Sequence, residues 1–341
     1  MNFSLAFLSL SSSFSSGPLF SQKMSINIGK SQFSHCIHPI ISNNLFCIKS
    51  TSFSSMLNTV IYNSQWLIIR QRYDSPSSMI ENCIFQKITG TLLGGAIFSN
   101  SSSSLNINKC YFVLVHTTNE AGVIYKESGL LVLGHCCFYL CHSSFPTNNY
   151  GGNLIFSYKA ETRVSFSNAF QCWNSSENAA ESNMRIYYEL STIVDYNTSF
   201  CFGSGFGGIL GEFWYMPVGS TVKFSYVFKG NDTRCICNAV ATNEFHVSYS
   251  NFIQNTVYNI LDDSLMFASH CSFYGNTILF VLFRSTTLTN CIADFSTTGV
   301  VLSQISFQSQ QFNPAIECIV LPTTKPRLHF TWPLYMIVFI L

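Results

Sequence analysis

Apolar and polar residues alternate along most of the chain in short runs, and the runs are separated by clusters of serine, asparagine and glycine. Alternation with a period of two is the pattern of a half-buried strand, and such clusters are turn chemistry. The stretch GGAIFSNSSSSLNINKCYF, residues 94–112, shows the order in full: a glycine pair, an apolar run, a serine tract, then alternation. It predicts a corner, a strand, a second corner and a second strand. Helical periodicity is nearly absent. The exception is SENAAESNMR, 176–185, where Glu177, Glu181 and Arg185 fall at i, i+4 and i+8. That spacing fits one exposed helical turn, although a solvated loop is the simpler expectation.

The order recurs. ENCIF (81–85), NKCYF (108–112), GHCCF (134–138), SYSNF (248–252), SHCSF (269–273) and TNCIA (289–293) align, most with a cysteine or small residue two positions before a phenylalanine. The step is 27 residues from Cys83 to Cys110, 26 from Cys110 to Cys136 and 20 from Cys271 to Cys291. SFSNAF (165–170) and FSYVF (224–228) are degenerate copies between them. Periods of this size mark solenoids or propellers. FKGN (228–231), FIQN (252–255) and FYGN (273–276) share a second signature, Phe-x-x-Asn. The asparagine suits the exit from a strand, and copies stacked in successive coils can bond to one another as a ladder. The phenylalanine is expected to point inward and to stack on its own copy.

One strand–turn–strand unit cannot bury its apolar face alone, whereas stacked units can. The expected fold is therefore all-β, a right-handed parallel β-helix of the pectin-lyase-like kind, in a single elongated domain. Roughly ten or eleven coils spaced by about 4.8 Å would make a rod on the order of 50 Å long.

GGAI at 94–97, its looser versions GGNLI and GGIL, and the Phe-x-x-Asn copies resemble the repeat pair of the polymorphic outer-membrane-protein family. The cysteine-studded strands with serine-asparagine corners resemble the large β-helix surface proteins of trichomonad parasites. The resemblance covers about residues 30–300. It implies a surface-exposed solenoid followed by a membrane-spanning segment near the C-terminus.

The ends depart from that pattern. Residues 1–29 contain the apolar run MNFSLAFLSL with no positive charge before Lys23, and read as either a weak signal or a capping segment. Residues 30–310 form the expected β-helix and 311–327 a linker. Residues 328–341 are an apolar tail, shorter than the roughly 20 residues of a full span. The tail reads as a truncated anchor, a lipid-anchor signal or a last strand.

Composition removes several classes. Charged residues make up 10% and aromatic residues 15%, the reverse of a disordered chain. A net charge of +1 without a basic run gives no basis for nucleic-acid binding. The charge-free stretch at 264–283 has the length of a span, but His270 and Asn276 interrupt it, which favours strands over a lipid-facing helix. Of 14 cysteines, Cys83, Cys110, Cys136, Cys271 and Cys291 share one repeat position. They predict a buried ladder of mostly free thiols. Pairing is left open for neighbours such as Cys235 and Cys237.

Candidate chemistry is sparse. HCCFYLCH, 135–142, carries enough histidine and cysteine for zinc, but alternation sends Cys136 and Cys137 to opposite faces. GSGFGG, 203–208, matches a dinucleotide fingerprint in letters, yet lacks the helix and the acidic residue that the fingerprint requires. Asp262 and Asp263 are the only adjacent acids; His270 and Arg284 follow in no recognisable catalytic arrangement and the other acids are scattered singly, so a solvated turn is the simpler expectation than cleavage of a glycan. No catalytic, metal or cofactor site is assigned. Asn100, Asn174, Asn197 and Asn231 open candidate glycosylation sequons. The expected function is a non-catalytic, surface-displayed or membrane-associated β-helix for adhesion or recognition, with cell-surface glycans or proteins as partners. A polysaccharide-active enzyme and a spacer without ligand are the alternatives.

Overall fold

The computed structural model describes residues 2–6, 9–11, 25–34, 41–42, 45–56, 61–63, 77–90, 93–119, 121–144, 151–172, 181–202, 208–231, 235–240, 244–262, 266–278, 286–293 and 302–305. Among them there is no helix, and every strand pairing is parallel. Each strand bonds to its counterpart one coil away, so the chain stacks as a β-solenoid, a single elongated domain.

The stack has three faces. The first runs from Asn2–Ala6 through Ser25–Gly29, Leu45–Lys49, Ser77–Glu81 and Ser104–Asn108 to Leu302–Ile305. The second includes Gln32–Ser34, Ser52–Met56, Ile84–Gly90, Tyr111–Thr117 and Cys137–Tyr139. The third runs from Ile41–Ser42 to Asn259–Asp262. The stretch once read for span length holds the strands Met266–Ser269, Ser272–Tyr274 and Thr277–Ile278. No helix among the described residues is long and apolar enough to cross a membrane.

The corner between the first and second faces explains the cysteines. One residue per coil turns it in the left-handed conformation, with φ between 47° and 54°. These residues are Lys30, Ser50, Asn82, Lys109, His135, Phe166, Asp195, Phe224, Tyr249, His270 and Asn290. The next side chain points inward and donates to the carbonyl two residues before it. Ser31 does so at 2.9 Å, Thr51 at 3.0 Å, Cys83 and Cys110 at 3.2 Å, Ser250 at 2.9 Å and Cys291 at 3.4 Å. The position thus favours a short donor, and cysteine, serine and threonine all supply one. It is not merely a slot for a small apolar group.

Two residues further on, the core column holds stacked rings. Phe33, Phe53, Phe85, Phe112 and Phe138 follow one another with centroids 4.9 to 5.4 Å apart. The column then passes through Ala169, Thr198 and Val227 before Phe252 and Phe273 resume it at 5.1 Å. Between the two degenerate copies, whose Ser167 and Ser225 keep the donor, one coil departs: Tyr196, fully buried, stands at this position.

Two of the three Phe-x-x-Asn copies behave as their pattern predicts. Asn255 donates to Val227 O at 3.1 Å, its Nδ2 meets Asn276 Oδ1 at 3.0 Å, and Asn276 donates to Phe252 O at 2.8 Å. FKGN does not match this register. Val227, not Phe228, pairs with Phe252, and it is the Gly230 amide that reaches Asn255 Oδ1 at 2.8 Å, leaving Asn231 exposed. The motif is present in letters but displaced by one residue, so Phe228, though buried, lies off the phenylalanine column, edge-on to Phe200 at 5.6 Å.

The glycine pair that opens GGAI is a steric requirement. Gly94 takes φ +70°, and a Cβ on Gly95 would run into the carbonyl of Gly122 in the next coil. The strand itself starts at Ile97.

Candidate functional site

The corners carry the groups that packing does not explain. Nine large apolar side chains are exposed among the described residues, and six of them, Leu114, Phe166, Tyr188, Tyr215, Phe224 and Tyr249, occupy left-handed corner positions. That conformation costs an ordinary residue roughly 1–2 kcal/mol and is most easily met by glycine or asparagine. Phe166, Phe224 and Tyr249 are 53%, 52% and 50% exposed, so little burial offsets the strain. Their rings are held by each other and by histidine. Phe224 stacks on Tyr249 at 5.2 Å, Tyr249 on His270 at 4.8 Å, and His135 on Phe166 at 5.0 Å. On another corner Tyr188 and Tyr215 stack at 5.1 Å.

The outer side of the third face carries a second buried cluster. Phe98, Tyr125 and Phe156 stack there at 5.2 Å per step, in a cluster separate from the main core. In the next coils the same register holds Arg185, Glu212, Asn238 and Asp262. Arg185 and Glu212 form a fully buried ion pair at 3.3 Å. The guanidinium also lies over the Tyr187 and Trp214 rings, 5.1 and 5.8 Å from their centroids. Removing either partner would leave a buried charge uncompensated. Of the helical-turn or solvated-loop expectation for 176–185, residues 176–180 lie outside the described residues and the rest is corrected: Glu181–Tyr187 is a strand, and Arg185 is buried rather than solvated. A strand sends alternate residues to the same side, which is why the i+4 spacing was misleading.

The serine tract has its own task. Lys126 is fully buried and donates to Ser99 Oγ at 3.3 Å, to Ser103 O at 3.0 Å and to Ser101 O. Burial pushes its ammonium down to about 7, with Glu127 pulling the other way.

The other sequence candidates fall out as follows. The residues of HCCFYLCH diverge: His135 sits on the outer corner, Cys136 donates inward to Gly134 O, and His142 stacks on His116 at 4.9 Å. No group of three metal-ligating side chains converges among the described residues. Cys137 is disulfide-bonded, whereas Cys83, Cys110, Cys136, Cys235, Cys237, Cys271 and Cys291 are free. Burial pushes the Cys136 thiol up to about 12. Gly203 to Gly207 and Asp263 lie outside the described residues, but Gly208–Trp214 after the glycines is a strand, not the helix a pyrophosphate site needs. Of the sequons, Asn174 lies outside the described residues, Asn100 is half-buried, and Asn197 bonds Asn168 at 3.0 Å. Asn231 is exposed. The tail at 328–341 and the linker at 311–327 lie outside the described residues.

Sequence reasoning missed the corner rings, Lys126 and the Arg185–Glu212 pair. Phe166, Phe224 and Tyr249 each directly precede a serine at the inward donor position, so the repeat alignment could have flagged the column. No signal in the sequence announces the ion pair. The chain matches no known protein-family model, and no curated protein sequence is similar to it.

Proposed function

We propose that this chain is a surface-displayed β-solenoid that recognises its partners through its lateral corners, without catalysis. The observation that carries the reading is the set of exposed aromatic residues at left-handed corners, where strain and exposure both act against them. Strain retained at exposed positions points to function. A spacer without ligand would be better served by asparagine or glycine at Phe166, Phe224 and Tyr249. The repeat resemblance to polymorphic outer-membrane proteins and trichomonad surface proteins supports display at a cell surface, with glycans or proteins as partners and the apolar tail as an anchor. The stacked cysteines of the first corner serve this reading as a structural ladder.

The enzyme alternative would need several carboxylates facing one groove. Glu212 and Asp262 share a register column with Asn238 between them, but Glu212 is committed to Arg185. Surface biotinylation of intact cells tests display, and detergent partition of the recovered protein tests the anchor. Labelled protein in the detergent phase supports the reading, and an unlabelled intracellular pool defeats it. Recognition is tested by binding purified protein to cells, with Phe166, Phe224 and Tyr249 changed to asparagine. Binding should be lost while the far-UV spectrum is kept.

A further inference from the structure

Read along the solenoid axis, four consecutive residues of the first corner are Asp195, Phe224, Tyr249 and His270, each in register with the next. The two rings in the middle stack on each other, and Tyr249 stacks on His270, with interplanar angles of 16° and 13°. Both faces of Tyr249 and one face of Phe224 are therefore closed to a flat ligand such as a sugar ring, and the ring edges reach solvent. A partner must meet a ridge of edges repeating at about 5 Å, the spacing of stacked coils. Another parallel β-solenoid has that period.

The quartet is also self-complementary. Turned end over end by a two-fold axis between Phe224 and Tyr249, it presents His270 to Asp195, Tyr249 to Phe224, Phe224 to Tyr249 and Asp195 to His270. Acid meets base at both ends, and ring edges interdigitate in the middle. An isologous interface requires this of a single patch. We propose that the first corner binds a second copy of this chain, antiparallel, through Asp195, Phe224, Tyr249 and His270. This rests on the reading of the corners as recognition surfaces and names the partner for one of them. Each half-exposed ring offers roughly 100 Å². Two such rings from each copy contribute roughly 400 Å², so the contact is small and of the transient class, with its specificity set by the Asp195–His270 pairs at its ends. A weak, reversible dimer is expected.

Sedimentation velocity of the full chain from about 1 to 200 µM tests the proposal, with Asp195→His, His270→Asp and the double exchange compared. Aspartate and histidine are both tolerated in the left-handed conformation, so the fold is expected to persist, as far-UV circular dichroism will check. The wild type should dimerise reversibly. Each single variant, which sets like groups opposite each other, should weaken dimerisation about tenfold or more. The double exchange should restore it. A wild type that stays monomeric, single variants that dimerise as well as it, or a double variant no stronger than the singles would each overturn the proposal. If self-association fails while monomer still binds cells through the corner rings, the wider recognition reading stands and only the self-partner falls.

Discussion

Replacing Phe112 with alanine probes the core column at its most continuous point. The ring is fully buried and stacks on Phe85 at 4.9 Å and on Phe138 at 5.1 Å. Truncating a buried phenylalanine costs about 3–5 kcal/mol through lost transfer energy and the cavity left behind. Two ring pairs broken at once, each worth about 0.5–1.5 kcal/mol, place the loss toward the upper end of that range. The column does pass through alanine at 169, but there the neighbouring coil carries the fully buried Tyr196 in the same core, whereas around Phe112 the corresponding positions hold Cys110 and Cys136. A solenoid couples mainly neighbouring coils, so the damage should be local. Urea denaturation followed by far-UV circular dichroism, with hydrogen exchange across strands Ile84–Gly90 and Cys137–Tyr139, reads both size and place. A loss below about 1.5 kcal/mol, or exchange rising equally at distant strands, would refute the stacked-column argument.

Four further outcomes are expected. Tyr249→Asn should change stability by less than about 1 kcal/mol, because relief of left-handed strain offsets the lost stack; chemical denaturation measures it. Asn255→Ala should cost about 2–3 kcal/mol, since it removes a buried amide bonded to Val227, Gly230 and Asn276, whereas Asn231→Ala should cost nearly nothing. Cys110, Cys136 and Cys237 should react slowly with a thiol reagent in the native protein and readily once it is unfolded, because burial raises their pKa values and holds them as thiols. Finally, Lys126 has a folded pKa near 7 against 10.5 in the unfolded chain. Between these values the unfolded chain holds a proton that the folded one has released, so stability should rise with pH, by at most about 1.4 kcal/mol per unit. The cysteines of the unfolded chain begin to titrate in the same window in both proteins, so the difference in slope between wild type and Lys126→Met from pH about 7 to about 8.5 isolates the lysine; a wild-type slope no steeper than the variant's contradicts the assignment.

The strands and the stacking were legible in the sequence because both depend on local alternation. Cys83, Cys110, Cys136, Cys271 and Cys291 align there as they do in space, and Phe252 and Phe273 take the inward places their motif predicts. Register was less legible. FKGN slips by one residue because Val227 fills the core place, a choice made by its neighbours in adjacent coils rather than by its own four letters. The role of the thiols as corner donors required the carbonyl geometry. The Arg185–Glu212 pair lay beyond sequence reasoning altogether, since its residues are joined only by strand pairing between coils. The exposed rings were visible as letters, but their significance comes from a positive φ that no residue type announces.

The central claim is that corner residues far apart in sequence form one straight column. Spin labels at Lys109 and Asn290, both exposed and both left-handed, test it directly. Seven coil steps separate them, through His135, Phe166, Asp195, Phe224, Tyr249 and His270, and at about 4.8 Å per step the separation is roughly 34 Å. A single narrow distance distribution near that value in a pulsed electron-electron experiment is the expected result. A broad distribution, or a distance shorter by several coil steps, would contradict the column and with it the recognition surface built on it.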